Sequence, residues 1–217
     1  MRFGVLGTGM VGHAIAGKLV AIGHEVMMGS REAGNAKARE WVATAGPSAA
    51  EGSFADAAAF GEVVVNATAG ASTLKALDAA GAANLAGKVL IDIANPLDMS
   101  AGMPPTLTVC NTKSLGEQVQ AAHPDARVVK TLNTINCNVM VEPGLVPEHH
   151  TVFVSGNDAD AKREVADLLR SFGWPDEDIM DLGDISTARG TEMYLPLWLR
   201  MWGVIGNSPF NIHVVTA

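Results

Sequence analysis

Short apolar runs recur along this 217-residue chain, separated by segments whose apolar residues return every three to four positions. The runs are Arg2-Phe-Gly-Val-Leu-Gly, His24-Glu-Val-Met-Met, Glu62-Val-Val-Val-Asn-Ala, Lys88-Val-Leu-Ile-Asp-Ile, Arg127-Val-Val-Lys-Thr and Thr151-Val-Phe-Val-Ser. Near-continuous apolar runs of this length mark strands covered on both faces. The intervening periodicity predicts helices over 11–22, 36–45, 54–60, 72–80, 114–122 and 158–172. Ser114, with Glu117 three residues on, supplies a capping box for the helix over 114–122. An apolar, tryptophan-bearing helix is predicted over 192–205. Short strands are expected over 178–182 and 210–215, and the Pro-, Gly- and Thr-rich residues 98–110 form a long loop.

Alternating strands and helices predict an α/β fold: a Rossmann-type, doubly wound, mostly parallel sheet with a small C-terminal α/β extension. Residues 1–132 are expected to form the nucleotide-binding domain. Residues 133–217 would form the extension, contributing to the substrate pocket and to dimer contacts. In such sheets ligands bind beyond the carboxyl ends of the strands. Segments 7–12, 67–71, 94–97 and 131–136 should therefore converge on one site, bringing Ala67, Thr68, Ala69, Asn95 and Pro96 to a cofactor.

The first of these segments carries the clearest chemistry. Gly7-Thr8-Gly9-Met10-Val11-Gly12 follows the first strand directly and opens a helix. Gly7 allows the tight turn, Gly9 lets a pyrophosphate approach the backbone, and Gly12 lets helix pack on strand. The helix N-terminus then offers free N–H groups to phosphates. A bare glycine-rich turn is common, but here the strand before, the helix after and the second strand are all present. That second strand ends in Gly29-Ser30-Arg31, with Asn35 and Lys37 just beyond. An acid at this place would bind a ribose 2′-hydroxyl, whereas a guanidinium pairs with a 2′-phosphate. The cofactor predicted is NADP(H) rather than NAD. The alternative, that Arg31 and Lys37 are ordinary solvated charges, is weakened because cations are unfavourable in a helix's first turn unless an anion sits there.

Composition narrows the classes. Hydrophobic residues make up 48% of the chain, enough for a substantial core. No apolar run is long enough to span a bilayer. With the first strand starting at residue 2, no secretory leader is expected, and the protein is expected in the cytoplasm. Cys110 and Cys137 are the only cysteines and have no zinc-type spacing, so no metal is expected. A formal net charge of −8 argues against nucleic acid as a partner.

Several blocks together resemble the F420-dependent NADP oxidoreductase family. They are Gly7-Thr-Gly-Met-Val-Gly, Gly29-Ser-Arg, Ala94-Asn-Pro-Leu, Val129-Lys-Thr-Leu-Asn-Thr-Ile, Val154-Ser-Gly-Asn-Asp, Phe172-Gly-Trp and Asp181-Leu-Gly-Asp. The reductase domain of the STEAP metalloreductases is similar over the same blocks. The resemblance implies hydride transfer between NADP(H) and the deazaflavin coenzyme F420 as co-substrate. It implies that Thr8, Gly9, Met10, Val11, Ser30, Arg31 and Lys37 hold NADP, and that Thr68, Ala69 and Asn95 face its ribose and nicotinamide.

An acid for carbonyl reduction is hard to find. Tyr194 is the only tyrosine and has no lysine partner in a Tyr-x-x-x-Lys pair. His13, His24, His123, His149, His150 and His213 read as structural or solvated, since none pairs recognisably with a carboxylate. Lys130 is the candidate acid or base, against a purely structural charge at a strand end. Asn133 could hydrogen-bond a carboxamide or ring carbonyl, or simply cap a turn. A flavin-like acceptor suits this inventory, because its charge spreads over the ring. Alternatives are NADPH-dependent reduction of a flavin, a quinone-like acceptor or an imine, and a non-catalytic NADP(H)-binding sensor. Met193, Leu195, Leu197, Trp198, Met201 and Trp202 form an apolar patch, read as core, homodimer seam or pocket wall.

Overall fold

A computed structural model describes residues 1–216. Eight strands form one sheet: β1 (Arg2–Leu6), β2 (Glu25–Ser30), β3 (Ala49–Ser53), β4 (Val63–Asn66), β5 (Val89–Asp92), β8 (Arg127–Thr131), β9 (Val152–Gly156) and β10 (Ile179–Gly183). Their order is β10-β9-β8-β5-β4-β1-β2-β3. The six strands from β3 to β8 are mutually parallel. β9 runs antiparallel to β8, and β10 runs parallel to β9. The doubly wound, mostly parallel α/β sheet expected from the sequence is present.

Helices cover both faces. They are α1 (Met10–Ala21), α2 (Ala36–Ala45), α3 (Phe54–Phe60), α4 (Thr73–Ala80), α5 (Ala82–Leu85), α6 (Leu115–Ala122), α7 (Cys137–Val141), α8 (Ala159–Phe172), α9 (Ala188–Met193) and α10 (Leu195–Ile205). Strand side chains alternate between two cores. Val5, Val65, Ile91 and Val129 lie in register on one face and pack with Ile15 and Leu19 of α1 and Val165 and Leu169 of α8. Val64, Leu90 and Val128 point to the other face, against Leu77, Leu115 and Ala188. α1 buries Gly12, Ile15, Ala16 and Leu19, an i, i+3, i+4, i+7 stripe. The Ser114–Glu117 capping box is formed as expected.

The structure departs from expectation in several places, the short helices α5 and α7 among them. Residues 210–215 are not a strand: the tail runs beside Thr151, whose amide donates to the Ile212 carbonyl over 2.8 Å, without entering the sheet. Residues 192–205 are not one helix, because α9 ends at Met193 and Pro196 lies at the start of α10. The loop over 98–110 contains one arm of a small antiparallel pair, β6 (Leu97–Asp98) with β7 (Thr106–Leu107). β3, with the sequence Ala-Ala-Glu-Gly-Ser, is an edge strand that no apolar run announces. It is held by its register with β2, from Val26 opposite Ala49 to Ser30 opposite Ser53.

Candidate active site

The turn after β1 is built around forced glycines. Gly7 has φ +121°, and a side chain there would strike the Ala67 carbonyl at 2.5 Å. A Cβ on Gly12 would lie 2.1 Å from the Gly7 carbonyl, so α1 can approach the turn only without one. Gly9 caps α1 and faces open space, with nothing within 4 Å of where its Cβ would be. No side chain caps α1, and its first turn holds no acid. The leading amides of this 12-residue helix therefore remain available to an anion. Thr8 is half-buried, Val11 half-buried, and Met10 stands 81% exposed beside them.

A cleft of about 440 Å³ opens at the carboxyl ends of β4 and β5, beside the start of α1. Val11, Ala67, Thr68, Ala69, Ala94 and Asn95 line its inner wall. Leu97, Asp98, Met99 and Thr108, from the small β6–β7 arm, line the other. Three of the four expected segments thus contribute directly, while Pro96 is buried behind the wall. The fourth arrives through one contact. Asn133 is buried, and its amide donates to Asn95 Oδ1 over 2.9 Å while Asn95 Nδ2 donates to the Asn133 carbonyl over 2.8 Å. Leu132, just before it, has φ +62°, a left-handed conformation unusual for a bulky residue.

Beneath the cleft the sheet changes character. Asn66, Asp92 and Lys130 occupy one register row, the last on the face that carries Val64, Leu90 and Val128. All three are buried. Asn66 Nδ2 donates to Asp92 Oδ1 over 2.7 Å, and the Thr68 hydroxyl donates to Asn66 Oδ1 over 2.6 Å. The Lys130 ammonium has no exposed surface. It pairs with Asp92 at 2.9 Å and Glu192 at 2.8 Å, and donates to the Ala94 carbonyl. Its three protons are therefore all engaged. Burial works against its charge, but Asp92 and Glu192 together outweigh burial and hold Lys130 above the usual lysine range. Glu192, on α9, also accepts from the amides of Leu115 and Gly116 at 2.7 and 3.0 Å, at the N-terminus of α6.

A model of the coenzyme F420-dependent NADP oxidoreductases matches residues 2–96. A protein of Arthrobacter sp. FB24, whose crystal structure is that of a candidate F420-dependent NADP-reductase, is 54% identical, with both chains covered in full and a TM-score of 0.93. This chain belongs to the F420-dependent NADP oxidoreductase family. Metalloreductase STEAP3 of Rattus norvegicus is 28% identical over 203 residues, 91% of this chain but 38% of the metalloreductase, so the chain spans well under half of that relative. A reductive aminase of Aspergillus terreus, solved with NADPH4, cyclohexanone and allyl amine, shares the fold alone: 19% identity, TM-score 0.66, 94% of this chain and 62% of that one.

The oxidoreductase's residues fit NADP(H). The unfilled space at Gly9 and the uncapped start of α1 suit the pyrophosphate. At the end of β2, Ser30 is buried with its hydroxyl turned to the Glu32 carbonyl, while Arg31 and Lys37 are exposed. The Asn35 side chain is engaged in capping α2, accepting from the amides of Lys37 and Ala38 at 3.0 and 3.3 Å.

Asn66, Asp92 and Glu192 were not among the residues the sequence singles out. The signal was present in the first two: three strands read apolar-apolar-apolar-polar or apolar-apolar-polar at their carboxyl ends, in Val63-Val-Val-Asn, Val89-Leu-Ile-Asp and Val128-Val-Lys. Gly70 was missed too. A Cβ there would sit 1.9 Å from the Asn95 carbonyl, so the cleft's two inner loops touch only because Gly70 is bare. Among the described residues no cluster of His, Cys, Asp and Glu could hold a metal ion, and no helix is long and apolar enough to cross a membrane.

Proposed function

We propose that this NADP-dependent oxidoreductase transfers a hydride between NADP(H) and coenzyme F420. The observation that carries the reading is the cleft's lining: it offers no tyrosine, histidine or lysine to donate a proton. Asp98 is its only ionisable residue, and hydrogen bonds from Ser100, side chain first and then backbone, hold that carboxyl below the usual carboxylate range. An acceptor ring that delocalises the charge it gains needs no acid at its side. The family match to residues 2–96 supports the deazaflavin over a carbonyl.

When bound, the nicotinamide supplies the hydride chemistry. The chain's own part is to bind and to orient. Arg31 and Lys37 would meet the 2′-phosphate, the amides of 10–12 the pyrophosphate, and Thr68, Ala69 and Asn95 the ribose and nicotinamide. Asn133 is a positioning residue that fixes the Asn95 amide. Lys130, sealed from the cleft, positions Ala94 rather than exchanging a proton with substrate. Residues 133–217 support the site from behind, and α10 joins two copies: Leu197 and Val204 stand 57% and 89% exposed on an apolar helix. Two free thiols and no disulfide fit a cytoplasmic setting.

Mixing the protein with NADPH and oxidised F420 should bleach the deazaflavin absorbance, and Asn133→Ala should lower kcat about tenfold with NADPH affinity nearly unchanged. Oxidation of NADPH by free flavin with none by F420 would replace the deazaflavin with a flavin. NADPH binding without oxidation across both acceptors would leave a sensor.

A further inference from the structure

The turn between β2 and α2, residues 31–35, carries the cations assigned to the 2′-phosphate. It is fastened from the neighbouring edge strand. Glu51 of β3 lies opposite Met28 of β2 in the parallel register. Its carboxylate reaches across and accepts from the Gly34 amide at 2.8 Å. The same carboxylate stands 3.8 Å from Nε of Arg39, one turn into α2. The Arg39 guanidinium lies over the turn, close enough that a Cβ on Gly34 would meet it at 2.5 Å. Gly34 itself has φ +82°. Glu51 keeps only 19% of its side chain exposed, whereas Arg39 keeps 69%.

Two facts argue that this arrangement serves an anion. α2 has no acid in its first turn, and Lys37 and Arg39 there, with Arg31 before it, outnumber Glu32, the one acid of the 31–35 turn, at an N-terminus where the helix dipole disfavours cations. And a carboxylate beside a phosphate site would repel the ligand unless its charge were already matched and its oxygens used. Glu51 meets both conditions, with one oxygen on a backbone amide and the other toward Arg39.

We infer that Glu51 is a specificity-determining positioning residue: by latching the Gly34 amide it sets the 31–35 turn in the form that presents Arg31 to the 2′-phosphate, with Arg39 as an additional cation over the turn. The inference rests on NADP(H) being the cofactor. It separates the hydrogen bond from the charge, because Glu51→Gln keeps an acceptor for Gly34 while Glu51→Ala removes it.

The experiment is a comparison of NADPH and NADH dissociation constants for the full chain, read by nicotinamide fluorescence. Glu51→Ala is expected to weaken NADPH about tenfold and NADH less than about twofold. Glu51→Gln is expected to hold NADPH at or above the parent affinity. Arg39→Ala is expected to weaken NADPH by a factor that shrinks as salt is raised. Equal losses for the two cofactors in Glu51→Ala, as a contact to a ribose hydroxyl would give, overturn the proposal, as does a Glu51→Gln protein that behaves like Glu51→Ala. A parent protein with no preference for NADPH would overturn the cofactor reading itself, and the latch with it. A parent that prefers NADPH, with an unchanged ratio in Glu51→Ala, sinks the latch alone.

Discussion

Lys130 at the end of β8 and Glu192 on α9 form a 2.8 Å ion pair in which neither side chain keeps meaningful exposure. The pair does not stand alone. Asp92 shares the ammonium from the next strand, and the α6 N-terminus shares Glu192 through two amides. Two buried carboxylates against one ammonium would leave an uncompensated charge. The positive end of α6 offsets it, because the helix dipole acts like a fractional cation at that end. The network thereby ties α6 and α9 to the loop at Ala94 that walls the cleft.

Removing the cation should expose how much rests on it. Lys130→Met would leave Asp92 and Glu192 facing each other without a counter-charge, a loss of about 3–5 kcal/mol. Urea unfolding at neutral pH measures this, and a loss below about 1 kcal/mol would contradict the network. The pH dependence follows from the raised value in the fold. Stability from Lys130 is complete below the ordinary 10.5 and disappears only as pH rises through the higher folded value. Neutral and mildly alkaline buffers should therefore leave it untouched.

The residues of this network explain what the sequence discloses and what it conceals. The strands were legible because a parallel sheet covered on both faces demands runs such as Val63-Val-Val and Val89-Leu-Ile. The glycine turn was legible because its backbone demands are local. Glu192 was not, since its partners lie on β8 and α6 and only the folded chain brings them together. β3 was hidden for a similar reason: Ala-Ala-Glu-Gly-Ser has no strand propensity of its own and is held by pairing with β2. The tail misled in the opposite sense. Ile212 and Val214 have strand-forming character, yet their bonds go to the backbone and hydroxyl of Thr151.

Cofactor choice can be tested at Arg31. A guanidinium pairing with a dianionic phosphate contributes nothing to NADH, which lacks that group. Arg31→Ala should therefore weaken NADPH by about tenfold to a hundredfold while NADH changes little. Isothermal titration with each cofactor distinguishes this from a general loss of binding, and an equal fall for both would contradict the phosphate role.

Acid should loosen α9 from α6. Arg189 pairs with Glu117 through two guanidinium nitrogens, Nε donating to Oε2 over 2.8 Å and Nη2 donating to Oε1, and Glu117 also accepts from the Ser114 amide at 2.7 Å. The Arg189 hydrogen bond is the largest of the influences that hold the Glu117 carboxyl below its ordinary value of 4.5, and the Ser114 bonds add to it. A lowered carboxyl contributes stability above its unfolded value that is lost as pH falls through the folded one. Melting temperature should therefore fall more steeply below about pH 4.5 in the parent than in Glu117→Gln. The variant should be less stable by about 1–2 kcal/mol at pH 7 and equal to the parent in strong acid. Parallel acid limbs for the two proteins would show that the pair contributes no net stability.

Tyr194 offers a view of the junction between α9 and α10 that no other residue can obscure, because the chain has a single tyrosine. Its hydroxyl is buried and has no hydrogen-bond partner among the described residues. Burial alone pushes its ionisation from 10.0 up to about 12. Folding thus favours the neutral phenol, so Tyr194 leaves stability unchanged below pH 10 and erodes it as pH rises beyond. Phenolate absorbance should accordingly appear near pH 12 in the folded protein and near pH 10 in urea. A folded midpoint near 10 would mean that solvent reaches the hydroxyl, and that α10 with its exposed Leu197 and Val204 swings away from the body rather than presenting a fixed apolar face.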